Sequence, residues 1–306
     1  MPTAFILGAG LGTRLRPLTA RLPKPLVPVA HQPLLTWAIR HLAADLGTDR
    51  FVINTHHLPA AFAREFPDAL WQGHSLYFRH EPGLLDTGGG LANVRDLLPA
   101  GESIVLYNGD ILCDAPLAPM AAAHAEADVT MLLRVGGHLC NVVCDVDGGS
   151  SGGAVTGPVR DIRGLMGIDG PRFQFSGIAL LGPRFLDFLP PAGRVFSLIP
   201  IIVDAIRAGL RVIGVVSNAG LWSDLGTPES VLAAHAALMD RPFPRYAPMP
   251  LPRLHPAATI APDTVDAFSW VGPGVIVPAG CQVTRSVLLA GTRMEPGESV
   301  CDALRY

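Results

Sequence analysis

The residues with the most chemical potential lie between Ala4 and Val29. Gly8-Ala9-Gly10-Leu11-Gly12-Thr13-Arg14-Leu15-Arg16 follows a short apolar run, and Leu22-Pro23-Lys24-Pro25 comes soon after it. Glycines spaced two apart let backbone N–H groups approach an anion closely. Thr13 adds a hydroxyl, Arg14 a planar fork suited to bidentate phosphate contact, and Lys24 a compact ammonium on an arm stiffened by two prolines. The chain has 23 basic residues, and Lys24 is the one lysine among them. An ammonium kept here, where arginine serves everywhere else, makes Lys24 the first candidate for catalysis. The stretch reads as a phosphate cradle.

Two better-known loops do not fit it. A dinucleotide fingerprint needs Gly-x-Gly-x-x-Gly, but position 13 is Thr, and Asn54-Thr55-His56-His57 stands where an acidic residue should follow the second strand. A Walker A loop needs Gly-Lys-Ser/Thr, which is absent. Asp110 closes Asn108-Gly109-Asp110, and Asp224 lies in Trp222-Ser223-Asp224-Leu225-Gly226-Thr227. Two strand-end carboxylates beside a phosphate cradle suit Mg²⁺, which takes one or two carboxylates plus phosphate oxygens. No Ser/His/Asp grouping is evident. His56-His57 is adjacent rather than at metal-ligand spacing, and a satisfied loop histidine is the expected outcome.

The elements that must position these residues alternate. Ala4 to Leu7, Phe51-Val52-Ile53, Leu76-Tyr77-Phe78 and Ser103 to Tyr107 read as buried strands, with a helix from Pro33 to Gly47 and another opened by Gly88-Gly89-Gly90. This predicts an α/β fold with a doubly wound, mostly parallel, Rossmann-like sheet. Ligands sit at the carboxyl ends of such strands, and Gly8 to Arg16, Glu81 to Gly90 and Asn108 to Asp110 all fall there. Residues 1–240 are expected to form this catalytic domain, and the Pro-rich stretch 241–256 a stiff linker. In residues 257–306, Val265, Val271, Val277, Val283 and Leu289 recur every six residues, and Met294 and Val300 resume the period after a one-residue slip. That period predicts a short parallel β-helix of hexapeptide repeats.

Composition removes several classes. An apolar fraction of 49% with 16% charged residues describes a packed globular chain. A net charge of -3 without a basic block argues against a nucleic-acid partner and against anionic membranes. No apolar run reaches the roughly 20 residues of a membrane span, and no export signal is expected at the N-terminus. Five cysteines without CxxC spacing point to free thiols and a cytoplasmic location.

Gly8 to Leu15 with Leu22-Pro23-Lys24-Pro25, Leu85-Asp86-Thr87-Gly88-Gly89-Gly90, Asn108-Gly109-Asp110, Phe175-Ser176-Gly177-Ile178 and Trp222 to Thr227 together resemble the sugar-1-phosphate nucleotidylyltransferase family. The resemblance covers about residues 3 to 238 in the family's order. It implies attack of a sugar 1-phosphate on the α-phosphorus of a nucleoside triphosphate, giving a nucleotide sugar and pyrophosphate. Arg14 and the loop amides of Gly12 and Thr13 then hold the β- and γ-phosphates, Lys24 steadies charge at the reacting phosphates, and Asp110 and Asp224 hold Mg²⁺. Gly8, Gly10, Gly88 and Gly89 approach the nucleoside, Asn108 lies beside them, and Ser176-Gly177 lies in the sugar pocket. Glu81 falls where the base edge should lie, and its carboxylate could accept from guanine N1–H and N2–H₂.

The substrate pair expected from this resemblance leans to mannose 1-phosphate and GTP, with N-acetylmuramate-1-phosphate uridylyltransferase as the alternative. A regulatory subunit that binds nucleotide sugar without turnover is the alternative of another class, opposed by the intact Arg14, Lys24, Asp110 and Asp224. An acyltransferase role for residues 257–306 is disfavoured, because no catalytic His is evident there. The C-terminal β-helix, left-handed in this family, is expected to support a homo-oligomer. Many relatives grip the sugar phosphate with a lysine in Glu-Lys-Pro, which this chain lacks. Arg160 and Arg163 are candidates to replace it, with use of another group as the alternative.

Overall fold

A computed structural model describes residues 2–137, 139–146, 154–239, 246 and 252–306. The chain forms two compact units. One comprises Met1–Gly10, His41–Gly109 and Asp114–Trp222, the other Leu11–Arg40, Asp110–Cys113 and Ser223–Tyr306. Most of the 241–256 linker lies outside the described residues.

The first unit is built on a ten-stranded sheet. From one edge its order is Cys140–Cys144, Val155–Ile162, Val212–Val216, Val129–Arg134, Arg172–Leu181, Ile104–Asn108, Thr3–Leu7, Arg50–Thr55, His74–His80 and Leu70–Trp71. Thr3–Leu7 pairs in parallel with both Ile104–Asn108 and Arg50–Thr55, which pairs in parallel with His74–His80. The parallel expectation therefore holds for strand direction, which seven of the ten strands share. It does not hold for every pairing, because the long strand Arg172–Leu181 is inserted antiparallel between Ile104–Asn108 and Val129–Arg134. Near-continuous apolar runs suit strands covered on both faces, and Ala4, Phe5, Ile6, Val105 and Leu106 are fully buried. The core beneath them gathers Phe5, Leu106, Met131, Phe185 and Ile202.

The helix predicted from Pro33 spans Leu34–Leu46, and its i, i+3, i+4 row of Leu35, Ala38, Ile39 and Leu42 is buried. It stops at Gly47, whose φ of +67° closes the last turn with Gly47 N–H donating to Ala43 O. The helix expected at Gly88-Gly89-Gly90 spans Asp86–Asn93, so it begins two residues before Gly88.

In the second unit, Pro28–Val29 and Gln32–Pro33 form a tight hairpin whose Ala30 N–H donates to His235 Nε2 at 3.1 Å. His235 lies on the helix Pro228–Met239, and its Nδ1–H donates to Val231 O. Burial pushes its pKa down to about 4, which keeps the ring neutral and Nε2 an acceptor. Beyond residue 252 the chain makes short parallel ladders: Thr259–Ile260 with Ile276–Val277, Trp270–Val271 with Val287–Leu288, and Gln282–Thr284 with Ser299–Cys301. Val271, Val277, Val283, Met294 and Val300 share one core, as the six-residue period predicts. The break in period falls one step earlier than expected, since Leu288 rather than Leu289 joins that core.

Candidate active site

In the second unit, Lys24 sits in a single 3₁₀ turn, Lys24–Leu26, entered from Pro23 and carrying Pro25 at its centre. Its side chain is 9% exposed, and Nζ lies 2.7 Å from Asp110 Oδ2 and 3.6 Å from Asp224 Oδ1. Residues 24, 110 and 224 are thus gathered at one point. The backbone does part of this, since Leu225 N–H donates to the carbonyl of Asp110 at 2.9 Å. The two carboxylates remain 36% and 46% exposed, open to a ligand while the ammonium is enclosed.

Beside them is the glycine turn expected to hold phosphate. Gly12 caps the 3₁₀ turn Thr13–Leu15 with φ +60°, and a Cβ there would stand 2.9 Å from Thr19 Cγ2 and 3.3 Å from Lys24 Cβ. Only glycine satisfies both the left-handed backbone and that close packing. Thr19 Oγ1 donates to Gly12 O at 2.7 Å and fixes the loop. Arg14 is exposed, and its guanidinium lies across Gly226: a Cβ at 226 would fall 2.6 Å from Nη2, 2.8 Å from Cζ and 3.1 Å from Asp224 Oδ1. Gly226 is thus a position where the missing side chain makes room for Arg14, and its place in the Asp224-Leu225-Gly226-Thr227 run was its one signal in the sequence.

The Asp110/Asp224 pair fits Mg²⁺. Two convergent, half-exposed carboxylates already drawn to one cation match the small protein share of ligands that this ion takes when phosphates supply the rest. Among the described residues no group of three or more His, Cys, Asp or Glu side chains offers a cage made of protein alone.

The first unit holds the remaining expected residues. Gly8 N–H donates to Asn54 Oδ1 at 2.7 Å, and Asn54 Nδ2 donates to Glu81 Oε1 at 2.8 Å. Glu81 is 1% exposed, and its other oxygen accepts the N–H of Leu85 at 3.3 Å. The carboxylate expected at a base edge is therefore turned inward, where it braces Asn54 and through it the Gly8 loop. Asn54 went unnoticed in the sequence because a lone Asn at a strand end carries no signal. His56, as expected, is a satisfied loop histidine, with Nδ1–H donating to Glu81 O at 2.7 Å.

Gly88 and Gly89 are closely packed within the chain. Both N–H groups donate to Phe196 O at 3.0 Å, and a Cβ on Gly88 would lie 2.5 Å from the Phe196 ring. A Cβ on Gly89 would strike the carbonyl of Arg194. These glycines admit the 194–196 segment to the helix, so their missing side chains are explained by packing within the chain. Gly10, by contrast, is exposed and has open space where a Cβ would stand.

Ser176 and Gly177 lie where the pairing of Arg172–Leu181 with Val129–Arg134 slips register. Gly177 has φ +89°, and a Cβ there would come 2.7 Å from Asn108 Nδ2, which places Asn108 against the bulge. Ser176 is buried, and its carbonyl accepts the Trp222 indole N–H at 2.8 Å. The cation beside Trp222 is Arg134, 5.8 Å from the ring centroid. Arg160 instead faces Asp145 at 3.6 Å, and Arg163 N–H donates to Asn141 O, continuing the pairing of Val155–Ile162 with Cys140–Cys144.

A parallel-directed α/β sheet with loops at its strand ends, and a glycine turn carrying one arginine and one enclosed lysine beside two carboxylates, define a phosphate-handling α/β protein. Residues 3–138 match the nucleotidyl transferase family model. The chain is 31% identical to the mannose-1-phosphate guanylyltransferase of Mycobacterium tuberculosis over 96% of its own length and 81% of that protein's. It is 34% identical to the N-acetylmuramate alpha-1-phosphate uridylyltransferase of Neisseria meningitidis over 73% of its length and 93% of that protein's. The UDP-glucose pyrophosphorylase of Acinetobacter baumannii shares the fold, with a TM-score of 0.65 at 17% identity over 80% of this chain and 95% of that one. The chain belongs to the sugar-1-phosphate nucleotidylyltransferase family and is a nucleotidyltransferase enzyme.

The seat under Arg14 leads to a direct expectation. Gly226→Ala should weaken binding of inorganic tripolyphosphate about tenfold, ~1.4 kcal/mol, by pushing the guanidinium aside. Calorimetric titration measures this. The melting temperature should hold, because the atoms displaced belong to the free end of a flexible side chain.

Proposed function

We propose that this enzyme joins a nucleoside triphosphate to a sugar 1-phosphate, and that its pair is GTP and mannose 1-phosphate. The observation that carries the transfer reaction is the enclosed Lys24 ammonium set against Asp110 and Asp224. A phosphate oxygen of the sugar 1-phosphate attacks the α-phosphorus, a new P–O bond forms, the bond to the β-phosphate breaks, and pyrophosphate leaves. Positioning and charge stabilisation account for most of the catalysis in such a displacement. Arg14, with Gly12 and Thr13, takes the β- and γ-phosphates. Lys24 bears on the charge that builds at the reacting phosphates. Asp110 and Asp224 would hold Mg²⁺, whose contribution is to neutralise phosphate charge. Gly8 and Gly10 flank the nucleoside, and Asn108, Ser176 and Gly177 serve the sugar end.

The preference for the guanylyl pair is supported by the extent of likeness. The M. tuberculosis guanylyltransferase aligns along 96% of the chain, including residues past 240, whereas the uridylyltransferase aligns along 73%. Glu81 no longer bears on the choice of base, because both its oxygens are engaged internally. Residues 257–306 belong in this reading to an accessory left-handed β-helix that supports a homo-oligomer; the parallel ladders and their shared aliphatic core support it. Five cysteines outside any disulfide suit a reducing cytoplasm, and no helix among the described residues is long and apolar enough to cross a membrane.

Pyrophosphate release over a grid of GTP, UTP, dTTP, ATP and CTP against several sugar 1-phosphates tests the proposal. The highest kcat/KM is expected for GTP with mannose 1-phosphate. A maximum for UTP with N-acetylmuramate 1-phosphate would transfer the assignment to the uridylyl class. No release with any pair would favour a regulatory protein without turnover.

A further inference from the structure

We propose that Lys24 is the resident counter-ion of the Asp110/Asp224 pair and keeps a free divalent cation out of it until a polyphosphate arrives. This rests on the reading that those carboxylates are the metal ligands. Nζ lies within ion-pair distance of both carboxylates, at 2.7 and 3.6 Å. A mobile surface lysine would make this unremarkable, but Lys24 is 9% exposed while its partners are several times more open.

Its reach is also restricted. Pro23 and Pro25 flank it, Leu26 N–H and Val27 N–H close the turn onto Pro23 O and Lys24 O, and the Gly12 backbone packs against its Cβ. No second lysine exists in the chain to take its place.

The electrostatic consequence follows from charge count. Two carboxylates alone present a charge of -2 to an incoming cation, but with the ammonium among them the cluster presents only -1. Affinity for divalent ions is tuned by the charge of the ligand set, so the ammonium weakens the empty cluster's hold on metal. A polyphosphate reverses this by bringing several negative charges, which draw the ammonium and add oxygen ligands. Lys24 thereby makes metal and nucleotide enter together, and an unproductive metal-only state is suppressed.

The test is Mn²⁺ binding to the full chain without nucleotide, with free Mn²⁺ measured by electron paramagnetic resonance. Lys24→Met, which keeps length and removes charge, is expected to bind Mn²⁺ at least about tenfold more tightly than the unaltered protein. Lys24→Arg, which keeps the charge, is expected to stay close to the unaltered protein, and Lys24→Met combined with Asp110→Asn should lose the gain. Inorganic tripolyphosphate should tighten Mn²⁺ binding in the unaltered protein and narrow its difference from Lys24→Met.

Equal or weaker Mn²⁺ binding by folded Lys24→Met would overturn the proposal. If Lys24→Met fails to fold, as judged by circular dichroism, Lys24→Gln carries the same expectation and the same refutation. A tenfold gain in a protein that releases no pyrophosphate with any substrate pair would leave this inference standing and overturn the assigned reaction.

Discussion

Lys24→Arg is expected to lower kcat/KM for pyrophosphate release by more than about tenfold, a loss of over ~1.4 kcal/mol in transition-state stabilisation. The substitution keeps the positive charge, so simple charge counting predicts little effect. The expectation rests on shape. Nζ occupies an enclosed point 2.7 Å from Asp110 Oδ2, reached along a stem fixed between Pro23 and Pro25. A guanidinium is planar, wider and directs its donors as a fork, so it keeps a positive charge beside the carboxylates but cannot aim a single compact donor at that point. Steady-state kinetics against an unaltered melting temperature is the measurement. Near-normal activity would remove Lys24 from the chemical step.

Asp110→Asn should cost more, about a hundredfold in kcat/KM at fixed Mg²⁺, on the order of 2.7 kcal/mol. It should also raise the Mg²⁺ concentration needed for half-maximal rate. The amide removes one of two charges offered to the cation, and it deprives an enclosed ammonium of its nearer partner, leaving Asp224 at 3.6 Å. Unpaired enclosed charge is costly, although the exposed sides of these carboxylates soften the penalty. The fold should survive, because the link that brings residue 225 to residue 110 uses the backbone carbonyl of Asp110, which Asn retains. A Mg²⁺ requirement identical to that of the unaltered protein would end the assignment of Asp110 as a ligand.

The two variants also separate the roles from each other. Loss in Lys24→Arg should appear at all Mg²⁺ concentrations, whereas part of the loss in Asp110→Asn should be recovered as Mg²⁺ is raised. An identical, Mg²⁺-independent loss in both would mean that the pair acts only to hold the local structure.

Much of this protein is determined locally, and that part was readable. Gly12 requires glycine because of its own φ, Lys24 is confined by the prolines on either side, and the helix Leu34–Leu46 announces itself by its apolar row and its closing Gly47. The six-residue period beyond residue 257 shows in the sequence because Val271, Val277, Val283, Met294 and Val300 enter the same core. What the sequence could not determine is which distant groups satisfy one another. Glu81 looked available to a base, yet pairing of the preceding strand His74–His80 with Arg50–Thr55 delivers it to Asn54, which consumes one of its oxygens. Gly88 and Gly89 looked like a ligand turn, yet the 194–196 segment fills the space that their missing side chains leave. Gly226 carried no role of its own within the Trp222 to Thr227 run, yet the Arg14 guanidinium, 212 positions earlier, lies across it. Backbone conformation and periodicity are properties of neighbours along the chain, so the sequence alone carries them. Hydrogen-bond satisfaction and close packing depend on partners far apart in the chain, and only the tertiary structure chooses among them.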